Sequence, residues 1–349
     1  MASNNSVNLL SGSEFSSNND KATVDIDPLM TNITIVFYTI TILFGIPGNA
    51  VVIWMSGFRL KASVINVWLV NLAVADLIFC LTRVPSLIGK VFYDNWPFGI
   101  FLCKFNGFFK YTNMFCSVFL LAVISLDRVL CVWKPVFTRR RRTLCAARLI
   151  SVGVWIAAIV FSVPYYVYRH VSIGQNNFSR CSTEVTESSE IDNRAKLALY
   201  SIRFLCGFLL PFLIILACYI LAGLKIHNTL IMSKTRLLRI LVSLVCAFFL
   251  CWGPYHFLLL AKMVDSKIQA VKVGLPIASG IAYFNSCVNP LLYFCMGLDK
   301  SLRFKQSLSR IFARALAEDW EGQTLRSKER SGSGTTDDSG VRLALKESR

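Results

Sequence analysis

The sequence predicts an all-α membrane protein: a seven-transmembrane helix bundle with a short amphipathic membrane-surface helix after the seventh span. Three observations predict it: apolar blocks of bilayer-spanning length, alternating charge in their connections, and polar groups set inside the blocks. The blocks run approximately over 33–57, 64–88, 100–134, 146–168, 197–226, 237–262 and 272–296. At ~1.5 Å of rise per residue, about 20 residues cross the ~30 Å hydrocarbon core, and each block is long enough. The chain is 54% hydrophobic yet carries a net charge of +17, a pairing rare in a soluble domain. Its Lys and Arg lie between the apolar blocks rather than on one domain. That fits loops beside anionic membrane lipid and argues against nucleic acid.

The connections set the topology. The first holds Arg59 and Lys61, the third Lys134 and Arg139 to Arg142, and the fifth Lys225, His227, Lys234, Arg236 and Arg239, with no acid in the third or fifth. The stretch 169–196 mixes Glu184, Glu187, Glu190 and Asp192 with Arg169, Arg180, Arg194 and Lys196. Positive-inside bias therefore puts the odd loops and the C-terminus in the cytoplasm and the N-terminus outside.

Four regions follow: a disordered extracellular segment 1–32, the bundle 33–298, the amphipathic helix 299–316 and a disordered cytoplasmic tail 317–349. The first shows no cleavable signal peptide and carries glycosylation sequons at Asn4 and Asn32. The amphipathic helix sets Leu308, Ile311 and Phe312 against Lys305, Arg310 and Arg314, and holds no cysteine for a lipid anchor. The tail groups Ser331, Ser333, Thr335, Thr336 and Ser339 beside Asp337 and Asp338, either a phosphorylation cluster or a plain solvated tail.

The third block is the expected central rod, since Lys110, Asn113 and Ser117 must face protein or water rather than lipid. Asp76, Asn113, Ser117, Asn285 and Asn289 form a polar set at mid-membrane, with Asn49 and Ser286 nearby. A structural hydrogen-bonding hub would use such residues, and so would a small hard cation such as sodium; the number of oxygens favours the cation. Pro164, Pro211, Pro254 and Pro290 kink later spans, for packing or as hinges. Cys116, Cys206, Cys218, Cys246 and Cys251 read as small buried hydrophobes. Counting inward from the outer ends brings Arg83, Lys110, Arg169 and Arg203 in or near one cavity, with Tyr111, Tyr255, His256 and Tyr283 around them. Buried cations without acids call for an anion, unless the side chains of Arg83 and Arg169 snorkel outward.

These residues resemble the rhodopsin-like (class A) G-protein-coupled receptors. The motifs are GNAVV at Asn49, NLAVADL at Asp76, Cys103, Asp127-Arg128, Trp155, Pro211 with Tyr219, Cys251-Trp252-Gly253-Pro254 and Asn289-Pro290-Leu291-Leu292-Tyr293, in family order over roughly 33–316. The resemblance implies that Asp127 holds Arg128 until Arg128 meets the G protein. It also implies a switch at Phe248 and Trp252, locking tyrosines Tyr219 and Tyr293, and a Cys103–Cys181 disulfide. Val129 stands where the family usually has tyrosine.

The stretches WPFGIFLCK, MFCSVFLLAVISLDR, VPYYVYR, RFLCGFLLPF, FFLCWGPYH and AYFNSCVNPLLYFCMG resemble the chemoattractant branch, the formyl peptide, anaphylatoxin, chemerin and prostaglandin D2 receptors. That likeness implies coupling to a Gi-type G protein, leukocyte chemotaxis, and arrestin and receptor kinases at the tail. It also implies a ligand carboxylate at Arg203. Tyr111 stands where formyl peptide receptors carry aspartate, and no acid awaits a ligand guanidinium. The expected agonist is therefore a chemoattractant peptide with an anionic end, with a lipid acid as the alternative. A non-signalling scavenger would have lost Asp127-Arg128 or Tyr293, and both are kept. A transporter would show repeated halves, and an enzyme a nucleophile–base or metal-ligand spacing; neither is seen. No cofactor beyond sodium is expected.

Overall fold

The computed structural model describes residues 26–93, 95–173, 179–182, 190–227, 235–265 and 268–297. Asn4, the segment 299–316 and the tail sites Ser331 to Ser339 lie outside the described residues. Seven helices are long and apolar enough to cross a membrane: Pro28–Arg59, Val64–Phe92, Gly99–Trp133, Leu144–Val167, Arg194–Lys225, Arg239–Val264 and Gln269–Cys295. They are called the first to seventh spans below. The helix of the first span begins at Ile26, earlier than its apolar pattern, so Asn32 sits exposed on a helical turn.

Local chemistry starts and bends these helices. The Ser63 hydroxyl accepts the Asn66 amide at 3.2 Å, and the Thr143 hydroxyl accepts the Ala146 amide at 3.1 Å. Each thereby satisfies a donor that an opening helical turn leaves orphaned. The fifth span carries a π-helical turn at Leu205–Leu209. Within it, a side chain at Gly207 would meet Met114 at 2.7 Å, so glycine lets the fifth span close on the third. The third span is the rod, with Tyr111, Asn113, Phe115, Ser117, Leu121 and Ile124 all buried. Leu43, Ile156, Val160, Leu213, Leu250 and Phe257 point outward on the other spans, a surface suited to lipid.

Two departures from the pattern stand out. Strands β1 (His170–Ile173) and β2 (Ser179–Ser182) form an antiparallel hairpin with Val171 opposite Cys181. Four-residue strands leave too few alternating positions for the sequence to announce them. The hairpin is tied down by the Cys103–Cys181 disulfide and by the Trp96 amide, which donates to the Ser179 carbonyl at 2.8 Å. Among the cysteines read as buried, Cys116, Cys218 and Cys251 are so, but Cys206 is half-buried and Cys246 faces outward. Lipid exposure costs an apolar thiol nothing, so burial cannot be inferred from the run it sits in.

Candidate functional site

A cavity of ≈ 110 Å³ opens between the outer ends of the third, fifth, sixth and seventh spans. Arg203 and Tyr255 line it with Tyr111. Arg203 is 3% exposed, and its Nη1 donates to the Tyr255 hydroxyl at 2.5 Å. Its guanidinium lies 4.2 Å from the Tyr111 ring centre, 4.8 Å from Tyr165 and 5.4 Å from Tyr200. A desolvated cation–π contact contributes about 2 kcal/mol, so these rings offset part of the several kcal/mol that burying the charge costs. Among the described residues the buried Arg203 Nε has no hydrogen bond and no carboxylate pairs with this guanidinium.

The other expected pocket residues divide around this centre. Lys110 bridges toward the seventh span, its Nζ 5.0 Å from the Tyr283 ring centre and 5.1 Å from Tyr255. Arg83 is 3% exposed and does not snorkel outward. It donates to the Asn106 side-chain and backbone oxygens and to the Thr82 hydroxyl, under the rings of Phe79 and Tyr283. The Asn106 amide in turn donates to the Ser86 hydroxyl. A polar clasp between the second and third spans thus draws the side chain inward. Arg169 also turns inward, its Nε 3.1 Å from Cys181 Sγ, along a face where a side chain at Gly107 would run into its Cδ. His256 does not line the cavity. It packs behind Tyr255 against Phe208, ring centres 4.8 Å apart, fully buried and with both ring nitrogens unpaired among the described residues.

Below the cavity, Tyr255 meets Trp252 edge-on at 5.8 Å, and Trp252 lies 6.1 Å from Phe248. Deeper still, Asp76 is fully buried between three spans. Its Oδ1 accepts from Asn113 Nδ2 at 2.8 Å and its Oδ2 from Asn289 Nδ2 at 2.7 Å. One turn from those amides, Ser117 Oγ and Asn285 Oδ1 are buried without a hydrogen bond among the described residues, as is Asn49 Oδ1. A carboxylate with surplus oxygens around it suits a sodium ion, provided that the two asparagines turn their carbonyl oxygens toward it.

At the cytoplasmic end, Asp127 Oδ2 accepts from Arg128 at 2.5 Å and its Oδ1 from Arg142 Nε at 2.9 Å. The Tyr293 hydroxyl is buried and makes no hydrogen bond among the described residues, while the Tyr219 hydroxyl lies beside Ser125. Trp155 Nε1 donates to Asn71 Oδ1 at 3.0 Å, which ties the fourth span to the second.

Residues 48–293 match the family described as 7 transmembrane receptor (rhodopsin family). The chain belongs to that family. It is a multi-pass plasma-membrane receptor, not an enzyme. It is 39% identical over 291 residues to the C3a anaphylatoxin chemotactic receptor of Danio rerio, covering 82% of this chain and 78% of that one. Formyl peptide receptor 2 of Mus musculus is 37% identical over 319 residues, 87% of this chain and 91% of that one. Chemerin-like receptor 2 of Mus musculus is 36% identical over 294 residues, with 83% and 82% covered. The receptor is thus a relative of chemoattractant receptors, engaging a G protein and an extracellular agonist.

Sequence reasoning overlooked part of the cavity wall. Lys196 and Tyr200 on the fifth span and Lys262 on the sixth line it as well. The signal was present: Lys196, Tyr200 and Arg203 follow the i, i+4, i+7 spacing of one helical face. Lys196 sits at the membrane edge, where a charge reads as a loop residue.

Proposed function

We propose that this receptor is activated by a chemoattractant with an anionic end, whose carboxylate meets Arg203, and that it signals through a Gi-type G protein. The observation that carries this reading is Arg203, a buried guanidinium on a cavity wall with no carboxylate pairing with it among the described residues. A carboxylate arriving there supplies the missing charge, and a charge-assisted bidentate contact is among the strongest that a pocket can make. Lys110, Tyr111 and Tyr255 complete that end, while Arg83, Arg169 and Tyr283 serve the parts of a ligand that extend past it. A peptide with a free C-terminus is the first reading, in keeping with relatives named as formyl peptide and anaphylatoxin receptors. A lipid acid is the second, favoured by Leu199, Leu259 and Leu275 in the wall and by the absence there, among the described residues, of an acid for a ligand guanidinium.

Activation is a population shift. Ligand that draws Arg203 off the Tyr255 hydroxyl moves the ring packed on Trp252 and Phe248, and the sixth span swings outward. Arg128 then leaves Asp127 for the G protein, and Tyr219 and Tyr293 close the opened face. Moving such an equilibrium from 1:99 to 99:1 takes about 5.5 kcal/mol of differential binding. Asp76, Asn113, Ser117, Asn285 and Asn289 would hold a sodium ion, whose charge favours the closed state. Receptor kinases and arrestin act on Ser331, Ser333, Thr335, Thr336 and Ser339, and Asn4 and Asn32 carry glycans.

The test is G-protein activation in transfected cells, with and without pertussis toxin, against formylated and anaphylatoxin-type peptides, prostanoids and leukotriene-type acids. A toxin-sensitive response to a free acid, lost on amidation or esterification, is expected. Silence to every acid at a receptor displayed on the surface would overturn the reading in favour of a scavenger.

A further inference from the structure

The seam between the third and fourth spans is closed at mid-membrane and open at its outer end. Phe161 of the fourth span packs on Phe115 and Phe119 of the third, ring centres 5.4 and 5.9 Å apart. Above that floor lies an apolar cleft of ≈ 360 Å³, lined by Phe105, Phe108, Phe109, Val163 and Tyr166. Ring contacts hold its walls: Phe105 meets Phe109 at 4.5 Å, and Phe108 meets Tyr166 edge-on at 6.2 Å. Val163 and Tyr166 are exposed, so the cleft opens toward lipid rather than into the bundle. Pro164 between them costs the fourth span a backbone hydrogen bond and bends it, a local cause for its parting from the third.

Lys104 stands at the rim. It follows Cys103, whose disulfide to the β-hairpin marks the extracellular side, and its Nζ lies 5.4 Å from the centre of the Tyr166 ring. A lysine at a membrane interface lays its stem along apolar surface and keeps its ammonium at headgroup level. No carboxylate pairs with it among the described residues.

We propose that this cleft binds a fatty acid from the outer leaflet, its carboxylate on Lys104 and its chain among the phenylalanines. The site is separate from the Arg203 cavity and does not rest on the reading given to that cavity. From Lys104 down to the floor at Phe115 the third span descends ~16 Å, about the length of one extended acyl chain. A cleft of ≈ 360 Å³ is at the small end of ligand sites and takes a single chain rather than the pair of a phospholipid. Apolar contact alone selects nothing here, because bulk lipid tails are as apolar as the wall. Selection comes from the ammonium beside Tyr166, which favours a carboxylate over the neutral hydroxyl of a sterol.

The test is photo-crosslinking of the purified full-length receptor in phosphatidylcholine nanodiscs. The probe is myristic acid with a mid-chain diazirine and a terminal alkyne, and labelled peptides are mapped by mass spectrometry. Label is expected on 104–109 and 163–166. Unlabelled myristic acid should displace it at a concentration about tenfold or more below that needed of methyl myristate or cholesterol. In Lys104→Gln, acid and ester should compete about equally. Val163→Trp, which fills the cleft from a lipid-facing position, should remove the label while Tm stays close to wild type.

Equal competition by acid and ester on the wild type would mean that the groove holds any acyl chain, and overturns the proposal. Stronger competition by cholesterol overturns it in favour of a sterol. Label confined to the fifth, sixth and seventh spans puts the acid in the agonist cavity and overturns it as well. So does an acid–ester difference that survives in Lys104→Gln, or the absence of any label.

Discussion

Arg203 and Arg128 occupy opposite ends of the same bundle and are treated in opposite ways. Arg128 has its carboxylate within the protein, 2.5 Å away on the preceding residue. Arg203 is surrounded by tyrosine rings and has none among the described residues. An arginine with an internal partner stores a contact that can be broken, while one without a partner keeps a contact to be made. On this account the receptor converts the second event into the first.

The largest effect should come from breaking the inner end. Arg128→Ala is expected to abolish G-protein activation while surface display and agonist binding persist; retained activation would remove the role given to Arg128. Next is the outer end. Truncating one side of a buried charge contact costs about 2–5 kcal/mol, so Arg203→Ala should lower agonist potency about 30-fold or more in a dose–response assay. A smaller change, of opposite sign, is expected from Asp127→Asn. Freeing Arg128 and Arg142 at a partly exposed site costs the closed state about 1 kcal/mol, or roughly fivefold in population. Raised ligand-free signalling would register it, and basal activity no higher than wild type would count against the stored contact. The subtlest sits between the two ends. Asp76→Asn should erase the effect on agonist affinity of replacing sodium by a large organic cation, and an undiminished effect would rule out Asp76 as the ion's ligand.

What could be read from the sequence differed between these regions for physical reasons. The spans were legible because a bilayer demands long apolar runs. The inner end was legible because Asp127 and Arg128 are neighbours in the chain. Asp76 was legible because a carboxylate in an apolar run has so few uses. The outer pocket was only half legible, since its members come from several helices and their side-chain directions are settled by packing. Arg83 turned inward because Asn106, twenty-three residues away, accepts its hydrogen bonds. His256 turned toward Phe208 although its neighbour Tyr255 faces the cavity. Lys196 was missed because membrane-edge lysines usually belong to loops. The hairpin at His170–Ile173 escaped because its register depends on Cys181, fixed from outside by Cys103.

The most direct test of the account is a double-mutant cycle between the agonist and Arg203. An activating acid and its amide, or its methyl ester for a lipid, would be compared on the wild-type receptor and on Arg203→Ala. The account predicts that masking the carboxylate costs about 30-fold or more on wild type and almost nothing on the variant. An equal cost on both would mean that the carboxylate is read elsewhere, and Arg203 would lose its place at the centre of the pocket.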